Sequence, residues 1–81
     1  MSKVKEEMLL RYPIGTRVRL IQMDDHQAPI SGTLGTINNI DDIGDLMVSW
    51  DDGSSLKLIV GIDAFEVIAI KVYISKIYKK D

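Results

Sequence analysis

Apolar and polar residues alternate along most of this chain, in short runs bounded by residues that turn it. Thr16 to Met23 sets Val18, Leu20 and Gln22 on one face and Arg17, Arg19 and Ile21 on the other. Thr33 to Ile40 lines up Leu34, Thr36, Asn38 and Ile40. Leu46 to Trp50 gathers Leu46, Val48 and Trp50, and Ser54 to Val60 gathers Leu56, Leu58 and Val60. A period of two is the mark of a strand with one buried face, and Glu66 opens a further strand. The exception lies at the start. From Ser2 to Arg11 the apolar residues Val4, Met8 and Leu9 fall on one helical face, Ser2 is placed to cap it, and Pro13 and Gly15 end it.

The punctuation between the runs is dense. Asp24 to Gly32 is polar, carries Pro29 and reads as a long loop, while Asp41-Asp42-Ile43-Gly44-Asp45 reads as a turn. Asp51-Asp52-Gly53 is a hairpin signal, because glycine takes positive φ without steric cost. Gly61 to Phe65 reads as a tight connection with one turn of 3₁₀ helix. The tail fits two patterns: Ile68, Ile70, Val72 and Ile74 suit a strand, while Ile70, Tyr73, Ile74, Ile77 and Tyr78 suit a helix. β-branched residues tip the balance to strand through Ile74. Short strands at this spacing predict an all-β barrel of about five strands. The expected organisation is a helix over 1–12, a barrel over 13–70 and a basic strand or helix extension over 71–81.

Composition narrows the function. Eighty-one residues with 46% apolar content support one thin core. Zero cysteines remove disulfides, thiol chemistry and Cys-based metal sites, and favour a cytoplasmic setting. No apolar run has the length of a membrane span or a secretion signal. The net charge of −2 hides an asymmetry. Between Gln22 and Asp63 eight acids face one base, Lys57, and the flanks hold nine bases against four acids. A nucleic-acid-binding domain usually carries a positive balance.

Three segments sharpen the fold: Gly15-Thr16-Arg17-Val18-Arg19-Leu20-Ile21, Gly32-Thr33-Leu34-Gly35-Thr36-Ile37, and Val48-Ser49-Trp50-Asp51-Asp52-Gly53. Together they resemble the layout of SH3-like barrels of the KOW and Tudor-like kind. A closer resemblance, covering Tyr12 to Ile68, is to an uncharacterised domain family of Gram-positive bacteria, their phages and mobile elements. The sequence departs from that pattern at His26 and Val60, where proline is usual, and at Lys57, where glycine is common. The resemblance implies an SH3-like fold and a phage or mobile-element context. It implies no activity.

Candidate chemistry is sparse. Asp24-Asp25, Asp41-Asp42-Asp45 and Asp51-Asp52 have the oxygens for a hard cation, yet each sits where a turn uses aspartate to bind backbone N–H groups. No calcium-loop spacing is present, so no metal or other cofactor is expected. His26 is the one histidine and has only aspartates beside it. Ser54 and Ser55 have no base within sequence reach. No catalytic set assembles, and we expect no enzyme. Gly15, Gly32, Gly35 and Gly53 lack phosphate-loop spacing and belong to turns and close crossings.

Two binding readings remain. Trp50 ends a strand at the hairpin, where it either completes the core with its N–H bonded at the rim or faces a ligand, with Tyr12 and Phe65 as companions. In the preferred reading the domain docks on a protein partner through Asp24, Asp25, Asp51 and Asp52, with Trp50, and with Tyr12 beside it, as the apolar anchor. In the alternative, Arg17, Arg19 and the tail lysines Lys71, Lys76, Lys79 and Lys80 contact nucleic-acid phosphates. A strand with open sides at Ile68 to Ile74 also invites a homodimer.

Overall fold

The computed structural model describes residues 2–70. One helix precedes four strands: α1 (Lys3–Arg11), β1 (Arg17–Gln22), β2 (Leu34–Ile40), β3 (Leu46–Trp50) and β4 (Ala64–Ala69). The strands form one open antiparallel sheet in the order β3-β2-β1-β4, and the described residues are mostly β with one short helix.

The helix begins and ends as the sequence predicts. Ser2 accepts a 3.0 Å hydrogen bond from the Lys5 amide and donates through the same hydroxyl to the Asp42 carbonyl at 3.0 Å. One side chain thus satisfies a free amide of the first turn and ties the helix to the β2–β3 turn. Met8 enters the core and Leu9 packs against its margin.

The core consists of Met8, Val18, Leu20, Ile37, Ile40, Leu46, Val48, Trp50 and Leu58. Val18 and Leu20 face inward, as do Leu46, Val48 and Trp50, in agreement with their alternation. β2 departs from the expected register. Ile37 pairs with Val48 while Asn39 pairs with Met47, so Asn38 is an extra residue. This bulge resets the alternation. Gly35, Ile37 and Ile40 are buried, and of the row Leu34, Thr36, Asn38, Ile40 only the last enters the core. A similar shift beside Leu20 leaves Gln22 exposed.

The segment from Ser54 to Val60 runs back alongside β3 and meets it at a single bridge, Leu46 with Leu58, closed by two 2.9 Å backbone bonds. It is not a strand of the sheet, which among the described residues has four strands. Trp50 explains part of this: its Nε1 donates to the Leu56 carbonyl at 2.8 Å, an acceptor a full ladder would give to a backbone amide. Gly61 to Phe65 forms a hydrogen-bonded turn leading into β4, where the Ile62 and Asp63 amides bond to the Ile59 carbonyl at 3.0 and 2.9 Å. No 3₁₀ helix forms there. The expected continuation to Ile74 and the basic extension lie outside the described residues. Among the described residues no helix is long and apolar enough to cross a membrane.

Candidate functional site

Trp50 lies in the core. It is 3% exposed, with its ring over Gly35 and its N–H satisfied by Leu56. The ring reaches the core because Trp50 shares the inward face with Leu46 and Val48. Tyr12 packs elsewhere. Its ring meets that of Phe65 at 5.8 Å between centroids, tilted by 54°, and the Arg11 guanidinium lies 5.6 Å from its centre. This pair seals the margin of the core where β4 begins.

The acids divide into two groups. Asp51 is committed to Arg17, whose two terminal nitrogens reach its two oxygens at 2.9 and 2.7 Å. Arg17 also donates to the Thr36 hydroxyl at 2.8 Å, so one guanidinium spans from β1 across β2 to the hairpin. Hydrogen bonding by Arg17 holds the Asp51 carboxyl below the usual carboxylate range, against a smaller opposing effect of desolvation. Asp41 is similarly lowered by the Lys57 ammonium at 2.8 Å, and its other oxygen accepts from the Ile43 and Asp45 amides. Asp52 accepts from the Ser54 amide at 2.8 Å. Asp41 and Asp52 thus bind backbone amides of their own turns, while the Asp51 carboxylate is taken up by Arg17.

Asp24, Asp25 and Asp63 form the second group. They rim a cleft of about 280 Å³ whose apolar walls come from Met23, Leu56, Ile59 and Ile62. The loop leaving β1 supplies one wall, and the segment after the hairpin, with its closing turn, supplies the other. Local bonds fix the rim: Asp25 accepts from the Gln27 amide at 2.8 Å and Asp63 from the Ile59 amide at 2.8 Å. Among the described residues none of the three carboxylates makes an ion pair. Lys57 also borders the cleft, but its ammonium is held by Asp41. Ile62 is 77% exposed, an apolar side chain standing free at an acidic rim.

Of the sequence-predicted residues, the structure therefore brings Asp24 and Asp25 together, and separates Asp51, Asp52, Trp50 and Tyr12 from them by role. Sequence reading missed Asp63, Leu56, Ile59 and Ile62 as partners of Asp24 and Asp25. The available signal was Ile62 itself, an isoleucine in a glycine-led turn. On the basic side, Arg17 pairs with Asp51 and Arg19 with Glu66. Lys71, Lys76, Lys79 and Lys80 lie outside the described residues. Among the described residues no three His, Asp or Glu side chains are placed to hold a metal ion, and His26 is exposed.

Comparison with curated proteins and with solved structures gave no match. A family model described as a domain of unknown function, DUF4314, matches residues 1–68, taking in the helix as well as the sheet, and the chain belongs to that family.

Proposed function

We propose that this domain is a non-catalytic, cytoplasmic binding module, encoded by a phage or mobile element, that docks a basic and partly apolar segment of a protein partner. The cleft between Asp24-Asp25 and Ile59–Asp63 receives it. The observation that carries this reading is three carboxylates, without an ion pair among the described residues, set beside apolar walls. A cationic side chain crossing the rim gains Coulomb attraction, and its apolar neighbour covers Ile62 and Leu56. At about 280 Å³ the cleft is at or below the ~300 Å³ lower end of small-molecule sites, so it suits one or two side chains rather than a cofactor.

An SH3-like barrel is the architecture this reading implies. Its support is the order β3-β2-β1-β4, the long β1–β2 loop, and the return segment bridged to β3. The anchoring role given to Trp50 passes to Leu56 and Ile62, because Trp50 is enclosed.

The test is affinity capture from host lysate, with and without nuclease, using wild-type protein, an Asp24→Asn/Asp25→Asn variant, Ile62→Ser and an Asp52→Asn control. Capture of a discrete protein that survives nuclease, weakens in the first two variants and persists in the control supports the cleft. Undiminished capture by folded cleft variants rejects it. Recovery that vanishes with nuclease and falls steeply with salt would favour the nucleic-acid reading through Arg17, Arg19 and the tail lysines. Both arginines would then have to exchange their carboxylate partners for phosphates.

A further inference from the structure

β4 is an edge strand, and among the described residues it pairs with β1 alone. Its other edge presents backbone N–H and C=O groups that a further strand can bond. Proteins usually blunt such an edge with lysine, proline or charge. Ala64 to Ala69 has only Glu66, which is paired with Arg19. Val67 and Ile68 are 39% and 43% exposed, and Ile70 just beyond is 53% exposed. Val18 and Val48, on β1 and β3, are at 0 and 1%.

We propose that the chain forms a symmetric dimer in which β4 pairs antiparallel with β4 of a second copy. Three observations favour that occupant. A two-fold axis makes one edge its own complement, so no second surface is needed. The chain reads acid first and base afterwards through this region, with Asp63 and Glu66 before the apolar run and Lys71 after it. Antiparallel pairing sets the acidic end of one copy beside the basic end of the other, whereas parallel pairing would set like beside like. Finally, residues 66–80 contain no Gly, Asn or Asp, the residues that two-residue hairpin turns favour. This inference is independent of the cleft.

Sedimentation velocity of the full chain from micromolar to several hundred micromolar tests it. The expected result is a concentration-dependent species of twice the 9.1 kDa chain mass. Ile68→Lys/Ile70→Lys should loosen it at least tenfold, because the added charges are brought together across the axis. A monomer throughout that range overturns the proposal, as does a dimer unchanged in variants that keep the native near-ultraviolet signal of Trp50. Should the variants unfold, isotope-filtered NMR on mixed labelled and unlabelled wild-type protein decides. Intermolecular contacts among Val67, Ile68 and Ile70 support the β4 interface. A dimer lacking them, or a monomer in which these residues contact the same chain's residues 71–81, overturns it.

Discussion

Gly35 lies directly opposite Trp50 in the β2–β3 ladder, and the indole covers the face a side chain would occupy. A Cβ built there would stand 2.7 Å from Trp50 Cε3 and 2.6 Å from Val48 Cγ1. Neither neighbour yields easily, since one is a buried ring and the other a β-branched residue. Gly35→Ala should therefore destabilise the fold by about 1–3 kcal/mol, the usual cost of overpacking. Urea denaturation followed by tryptophan fluorescence would show it, and an unchanged midpoint would mean that the indole does not rest on Gly35.

Burial of Trp50 separates stability from binding. Trp50→Phe keeps an aromatic ring but leaves the Leu56 carbonyl without its donor, at a cost of about 1–3 kcal/mol. Trp50→Ala should cost about 3–5 kcal/mol, much of the stability of a domain this small. The phenylalanine variant, once shown to be folded by circular dichroism, should capture the same partner as wild type. Selective loss of capture would return Trp50 to the binding surface.

Two ion pairs give stability an acid limit. Arg17 lowers the Asp51 pKa and Lys57 lowers that of Asp41. A carboxyl with a depressed folded pKa stabilises fully above its unfolded value of about 3.9, and that contribution disappears as pH falls through the folded pKa. Lys57, raised by Asp41, behaves oppositely: its contribution is complete below about 10.4 and is lost as pH rises through the folded pKa. Both pairs reach solvent, with Asp41 the most buried of the four side chains, so the effects should be small and weakened by salt. Thermal midpoints below pH 4 should fall less steeply in Asp51→Asn than in wild type. Parallel curves would show that the Arg17 fork contributes nothing in solution.

Thr16 is fully buried, and its hydroxyl has no hydrogen-bond partner among the described residues. Its backbone amide and carbonyl are both bonded, to Pro13 and Ile37, so the side chain is the one unsatisfied part. Replacing the hydroxyl with a methyl removes a desolvation penalty of about 1–3 kcal/mol without a change in shape. Thr16→Val should be neutral or stabilising in chemical denaturation. A clear loss of stability would reveal a partner for the hydroxyl.

Much of the sheet was legible because local chemistry and global packing agree. Ser2 caps the helix, Gly53 turns the hairpin at φ 94°, and Leu46, Val48 and Trp50 enter the core together. The Asn38 bulge was not legible. One extra residue inverts the faces of β2, and only the competition between Ile37 and Ile40 for the core against Val48 and Leu46 places it. The cleft was half legible: Asp24 and Asp25 announced an acidic loop, but nothing local connects them to Ile62 and Asp63, almost forty residues away.

The sequence by itself determined the helix, the strands β1 to β3, the Gly53 turn and the charge asymmetry, because each depends on residue types and spacings within short segments. Tertiary structure alone decided that Trp50 is enclosed, that Arg17 and Asp51 pair with each other, and that an acidic rim borders exposed isoleucines. Those outcomes depend on distances between segments remote in sequence, fixed by how the strands and loops pack around the core.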